Sequence, residues 1–296
     1  AEEEAQGWQG DLDELCESLA GLSPADAERE VRQALRGSSA ASDADTLAML
    51  LRVFRHTRDA SLDAYETWDL PVAYCKHLTG LCDRNFVGAA GGEAPTRPDF
   101  PVSVVATVYA ECGRTLALAD RLQPAKSLLE KALNVFTIIP GTEDVHRQQV
   151  AAARGSLARV LRRLGHLEVA QTEYLQALQL HAVLDDDDEL ASLISEYCEV
   201  LGEAGGEALS ASTPSLLVEL AGERLGGSEQ HMRVLRDVAD ACIAAGRQGL
   251  AGPALAQRAR LLRVQCSAGS AGAPARVGGR RRVDALQLAE AEAADE

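Results

Sequence analysis

The stretch LARVLRRLGHLEVAQTEYLQAL, residues 157–178, decides the fold that this sequence predicts. It is rich in helix-forming residues and has no proline, yet small residues recur among the large ones at Ala158, Gly165, Ala170 and Ala177. Small side chains allow two helices to approach to about 8 Å. A glycine suits the point where a helix ends, because a positive φ costs it little. The stretch therefore predicts an antiparallel pair of helices that turns at Gly165 and touches through its small residues.

Two other stretches have the same spacing. Gly113 lies twelve residues before Ala125, and Ala239 lies twelve residues before Ala251, with Gly246 at the predicted turn. Large apolar residues follow at matching offsets, three after the first small residue (Leu116, Leu161, Cys242) and four after the second (Leu129, Tyr174, Leu255). Such internal repetition is the mark of a helical-repeat protein.

The third stretch departs from the pattern at one position. Ala132 and Ala177 lie seven residues after the second small residue, whereas Arg258 takes that place in the third stretch. The third stretch also begins 81 residues after the second, although the first two are offset by 45. A degenerate hairpin is therefore expected between them, made from LASLISEYCEVLGEAG and TPSLLVELAGERL.

This pattern resembles the tetratricopeptide repeat (TPR), a helix–turn–helix of about 34 residues. The longer offset resembles the extended repeats of kinesin-light-chain-like proteins, in which a linker with an acidic turn joins successive hairpins. Two stretches of this chain, PGTEDVHRQQV and LDDDDELASL, look like such linkers. The resemblance covers residues 101–264. It implies an all-α fold, a TPR-like α-solenoid of helical hairpins with additional N-terminal helices.

The rest of the chain divides by composition. An acidic segment is expected over 1–22, and an N-terminal helical region over 23–87, with Ser23 as the cap of a helix that starts at Pro24. Another helix is expected to end near Leu70, because Pro71 follows. A Gly/Pro-rich loop over 88–100 precedes the repeats at 101–264. A flexible basic linker over 265–282 and a short helix with an acidic tail over 283–296 follow them.

Composition narrows the classes of function. The net charge of −16 opposes nucleic-acid binding, and the sequence has no apolar run of about 18 residues that would span a membrane. Most of the seven widely spaced cysteines fall at apolar helix positions, which predicts reduced thiols in the core of a cytoplasmic protein.

The resemblance also implies a binding groove lined by the first helix of each hairpin. Arginines occupy the corresponding positions, and their bidentate guanidinium groups favour an acidic peptide or helix as ligand. The alternative is that these arginines are solvated or pair with local carboxylates such as Glu111 and Glu168. The predicted groove residues are Arg114, Arg159, Arg162, Arg163, Arg233 and Arg236.

Other motifs predict no chemistry. The run Asp185–Asp188 lacks the spaced ligands and turn glycine of a calcium loop and favours a helix start. Cys75, His77 and Cys82 have the wrong spacing for zinc. The histidines are isolated, and GAAGG follows no strand, so the sequence predicts no catalytic residue, no cofactor and no metal.

The predicted function is a non-catalytic scaffold or adaptor for protein–protein interaction, within a larger assembly. One alternative is a helical regulatory region associated with an enzyme such as a protein methyltransferase. Another is a helical-repeat RNA binder, which the overall acidity disfavours. The basic run at Arg276 and Arg280–Arg282 is either a solubilising linker, an import signal or an arm that binds an anionic surface or acidic partner.

Overall fold

The computed structural model describes residues 15–19, 21–35, 43–64, 68–85, 102–139, 144–184, 186–205, 210 and 212–271. These residues form α-helices and one short 3₁₀ turn, and no strand occurs among them. None of the described helices is both long and apolar enough to cross a membrane. The predicted loop at 88–100, the basic run at 276–282 and the acidic tail lie outside the described residues.

The chain divides into two compact units, 1–160 and 161–296, and the boundary falls in the last turn of α7. The helices of the first unit are α1 (15–19), α2 (Pro24–Leu35), α3 (Asp43–Ala64), α4 (Asp69–Asn85), α5 (Val102–Leu118), α6 (Leu122–Ile138) and most of α7 (Asp144–Arg163). The second unit holds the end of α7 with α8 (Leu167–His181), α9 (Asp187–Ala204), α10 (Thr213–Leu225), α11 (Glu229–Ala244), a 3₁₀ turn (Gln248–Leu250) and α12 (Gly252–Ala271).

Three hairpin turns share one backbone geometry. The N–H groups of Arg121, His166 and Arg247 each donate to the carbonyl five residues earlier, at 2.8, 2.9 and 2.8 Å respectively. The residue before each donor has a positive φ: 59° at Asp120, 80° at Gly165 and 71° at Gly246. This is the Schellman arrangement that satisfies the last carbonyls of a helix. The predicted turns at both glycines are confirmed.

The small residues are buried as predicted. The side chains of Ala125, Ala158, Ala170, Ala239 and Ala251 are at most 2% exposed. Gly113 is so close to α6 that a Cβ atom there would lie 2.7 Å from Cγ of Leu129. The core between α5 and α6 therefore forms where one helix presents almost no side chain to the other.

Two helix starts have the capping chemistry that the sequence predicts. The N–H of Asp26 donates to Oγ of Ser23 (3.3 Å), and the N–H of Glu189 donates to Oδ1 of Asp186 (3.1 Å). The prediction that a helix ends near Leu70 is wrong. Here α4 starts at Asp69, so Pro71 lies in its first turn, where a proline costs no hydrogen bond. Near the C-terminal end of the described residues, α12 continues to Ala271. It therefore includes the first part of the linker that was predicted over 265–282.

Candidate functional site

The amphipathic pattern of α11 creates the candidate site. Ser228 caps this helix by accepting the N–H of His231 (3.2 Å). Val234, Leu235 and Val238 are buried. The positions at i, i+3, i+4 and i+7 on another face carry only charge: Arg233, Arg236, Asp237 and Asp240. Residues at this spacing form one stripe along a helix, and clefts open on either side of it.

The first cleft lies between α9 and α11 and is called the α9–α11 groove below. It encloses about 840 Å³ within the second unit. Small residues line it where the helices approach, and a Cβ atom on Gly202 would lie 3.4 Å from Cβ of Ala244. The residues lining the groove are Arg162, Ser192, Ser195, Glu196, Cys198, Glu199, Gly202, Glu203, Arg233, Arg236, Asp237, Asp240, Ala241 and Ala244.

Carboxylates outnumber guanidinium groups in the α9–α11 groove, five to three. Arg162 already has two of them as partners. Its Nη2 lies 2.6 Å from Oε1 of Glu203, and its Nη1 contacts a carboxylate oxygen of Glu199. The hydrogen bonds that Arg162 donates to Glu203 and Glu199 raise its pKa. Its positive charge is therefore largely used within the protein.

The remaining carboxylates of the groove lie on two facing helices. Asp237 on α11 accepts the hydroxyl of Ser195 on α9 at 2.7 Å and lies 3.6 Å from Nε of Arg236. Glu196 accepts the hydroxyl of Tyr174 at 3.1 Å. Asp240 is exposed. With the Arg162 pairs set aside, the groove therefore keeps three carboxylates against two guanidinium groups.

The second cleft lies between α11 and α12 and is called the α11–α12 cleft. It encloses about 520 Å³ and has the opposite charge, with three arginines against one glutamate. Met232 and Leu262 provide its apolar surface. The full lining is Glu229, Gln230, Met232, Arg233, Arg236, Arg258 and Leu262, so Arg233 and Arg236 belong to both clefts.

Arg258 in this cleft is the residue at which the repeat pattern fails. In the two regular hairpins the matching residues, Ala132 and Ala177, are fully buried. Arg258 instead brings a guanidinium group into the cleft between its helix and α11. Positions that break a structural pattern are often functional, and this departure was the sequence signal that marked Arg258 as unusual.

The six predicted groove arginines do not share one environment. Arg162, Arg233 and Arg236 line the α9–α11 groove, and the last two also line the α11–α12 cleft. Arg159 and Arg163 lie on α7 and have contacts of their own. Arg114 belongs to the first unit, on α5.

Arg114 is part of an ion-pair network around the buried Glu111. Its Nη2 lies 2.8 Å from Oε1 of Glu111, while Arg55 contacts the same oxygen at 3.2 Å and Arg58 contacts Oε2 at 2.5 Å. Burial alone would raise the pKa of Glu111, but the three guanidinium groups outweigh it, so the pKa is lowered. Glu111 stays ionised and joins α3 to α5.

The motifs rejected for metal or redox chemistry have structural partners. Cys75 and Cys82 are buried, and His77 pairs with Glu28 at 2.6 Å. Cys16, Cys75, Cys82, Cys112, Cys198 and Cys242 are all free and buried. Within the described part of the chain, no three His, Cys, Asp or Glu side chains come together as a metal site.

Taken together, the repeated turns, the buried small residues and the clefts on the first helices define a TPR-like helical-repeat protein. Solved structures with a similar fold include the following three. BtubC (BKLC) from P. vanneervenii matches with a TM-score of 0.55 and 13% identity, over 92% of this chain and 98% of that one. The TPR-like repeats of a Podosopora anserina protein described as a putative kinesin light chain match with a TM-score of 0.52 and 14% identity, over 76% of this chain and 99% of that one. A single-substitution variant of the same repeats gives the same TM-score and identity over 77% and 100%.

No family model matches the sequence, and no curated protein matches it. At 13–14% identity these likenesses show the fold alone. The all-α, TPR-like class inferred from the sequence is confirmed, including its likeness to kinesin-light-chain repeats.

Proposed function

We propose that this protein is a non-catalytic adaptor that binds a protein segment at the clefts beside α11 and works as a subunit of a larger assembly. The observation that carries this proposal is the pair of open clefts on either side of one charged helix in a TPR-like fold. Grooves between helices are common sites for peptides and helices of partner proteins.

The acidic ligand predicted from the arginines is assigned to the α11–α12 cleft. Arg233, Arg236 and Arg258 face one carboxylate there, that of Glu229. Guanidinium groups bind carboxylates through paired hydrogen bonds, and Met232 and Leu262 provide apolar contact beside them. The ligand therefore combines acidic side chains with at least one aliphatic residue.

The experiment is a titration of the full chain with a fluorescent peptide of about ten residues, rich in glutamate and containing leucine, followed by anisotropy. Arg233→Gln removes one cation from the cleft. Arg260→Gln on α12 is the matched control, since Arg260 is exposed and does not line the cleft. We expect the first variant to bind roughly fivefold more weakly and the control to bind like the parent. Equal losses in both variants would show general charge attraction and contradict the proposal.

The free state of the buried cysteines supports a reducing compartment such as the cytoplasm. This placement is tested by thiol counting on protein purified from its natural source with alkylation at lysis. If the six described cysteines all react as thiols after denaturation, the result agrees with a reducing compartment. Disulfide-linked pairs among these residues would oppose it.

A further inference from the structure

Two adjoining clefts of opposite charge share the side chains of one helix. Arg233 and Arg236 line both, while Asp237 and Asp240 line only the α9–α11 groove and Arg258 only the α11–α12 cleft. A ligand of uniform charge gains attraction in one cleft and meets repulsion in the other.

We propose that the bound segment is charge-segregated: its acidic part lies in the α11–α12 cleft and an adjoining Lys/Arg part lies in the α9–α11 groove. The inference deepens the proposed function and rests on it. It identifies the ligand as one continuous segment of a partner protein that carries both signs of charge in separate blocks.

The width of α11 is small enough for one short peptide segment to contact both clefts. An α-helix with its side chains is about 10–12 Å across, and an extended peptide advances about 3.3 Å per residue. A segment of about eight residues therefore reaches across α11 from one cleft to the other. Since both clefts meet at Arg233 and Arg236, no gap separates their linings.

The carboxylates of the α9–α11 groove favour a basic block of the ligand over a second acidic block. Arg162 neutralises Glu199 and Glu203 from within the protein, and Glu196 accepts the Tyr174 hydroxyl. Asp237 and the exposed Asp240 on α11 are therefore the carboxylates that meet the ligand's cations in this proposal. Asp237 is held by the Ser195 hydroxyl at 2.7 Å, so one carboxylate is already oriented before a cation arrives. Such preorganisation reduces the entropy lost on binding.

The test uses three labelled peptides of about ten residues and the full chain: one acidic, one basic, and one with an acidic half joined to a basic half. We expect the split peptide to bind about tenfold more tightly than the acidic peptide. The double variant Asp237→Asn with Asp240→Asn removes this advantage. It should bind the acidic peptide at least as tightly as the parent does, because Asp237 no longer offsets the charge of Arg236. The control, Glu219→Gln with Glu223→Gln on α10, changes the net charge equally at exposed positions outside both clefts and keeps the advantage.

The other outcomes overturn the inference in distinguishable ways. Equal affinity for the acidic and split peptides rejects the basic block and leaves the acidic-ligand adaptor standing. Failure of every peptide to bind rejects both. If changing Arg280, Arg281 and Arg282 to glutamine in the full chain tightens binding of the split peptide, the groove belongs to the chain's own basic segment and not to a partner.

Discussion

Asp120 adopts the backbone conformation that Gly165 adopts in the next hairpin. Their φ angles are 59° and 80°, and in both turns the following N–H donates to the carbonyl five residues earlier. Aspartate enters the left-handed region more readily than most residues with a side chain. The turn is therefore set by the hairpin as a whole, and its sequence is free to vary within the few residues that tolerate this conformation.

The third hairpin turn allows a direct measurement of this strain. Gly246→Ala places a side chain at φ 71°, and we expect it to lower the free energy of unfolding by about 1 kcal/mol. Gly249→Ala is the control, because Gly249 has no positive φ and a Cβ atom there meets nothing within 4 Å. Urea denaturation monitored by circular dichroism compares the two. If Gly249→Ala is as unstable as Gly246→Ala, the loss does not come from the positive φ at residue 246.

The close approach of α5 and α6 gives a second prediction. Gly113→Ala adds a Cβ atom 2.7 Å from Cγ of Leu129 and 3.3 Å from the carbonyl oxygen of Ala125, so we expect a loss of about 1–3 kcal/mol. Gly80→Ala in α4 meets only the end of Arg84, at 3.5 Å. That variant should be more stable by up to about 1 kcal/mol, because alanine favours a helix. Thermal melts of both variants test the prediction, which fails if Gly113→Ala is as stable as Gly80→Ala.

The ion-pair network around Glu111 predicts that neutralising this one side chain lowers the stability of the protein substantially. Glu111→Gln keeps the shape but removes the charge that balances Arg55, Arg58 and Arg114, and we expect a loss of about 2 kcal/mol in unfolding free energy, measured by urea denaturation. The exposed Glu130, which pairs with Lys126 at 3.7 Å, provides the control; Glu130→Gln should change stability by less than about 0.5 kcal/mol. Similar losses in the two variants would show that the buried network adds nothing beyond a surface pair.

The stability of the folded protein should depend on pH through the protonation of His231. This residue is 2% exposed, its Nδ1 accepts the N–H of Gly227 at 3.0 Å, and burial lowers its pKa from 6.5. The unfolded chain therefore binds this proton at a higher pH than the folded chain does. The contribution of neutral His231 to stability is present above about pH 6.5 and is lost as the pH falls.

Melting temperatures measured between about pH 7.5 and 5.5 test this sign. We expect His231→Gln to show a shallower fall in stability over this range than the parent. His166→Gln, at an exposed hairpin turn, should keep the parental slope. A steeper fall in the His231 variant would contradict the argument.

Local sequence predicted those parts of the fold that depend on nearby residues. The caps at Ser23 and Asp186 follow from side-chain chemistry within one helical turn. Gly165 and Gly246 were identified because glycine accepts a positive φ, but Asp120 was missed because its conformation depends on the hairpin around it. Pro71 was misread because a proline is compatible both with the residue after a helix and with a helix's first turn.

The candidate site was harder to predict because it depends on which faces of the helices meet. Arg162 was predicted as a groove residue, with pairing to local carboxylates as the alternative. Its partners, Glu199 and Glu203, are 37 and 41 residues away in sequence. Asp237 and Asp240 line the groove because α9 lies opposite α11, which the sequence does not indicate. Arg258 breaks the repeat pattern, but a single sequence could not show that a cleft opens there.

The sharing of Arg233 and Arg236 by two neighbouring clefts has an energetic consequence. When a carboxylate on one side draws these guanidinium groups toward itself, less positive potential opposes a cation on the other side. Binding energies at the two sides are then linked, and each side must change the affinity of the other by the same factor. We therefore expect a partner that carries both signs of charge to gain cooperativity from a single helix, without any movement of the repeats.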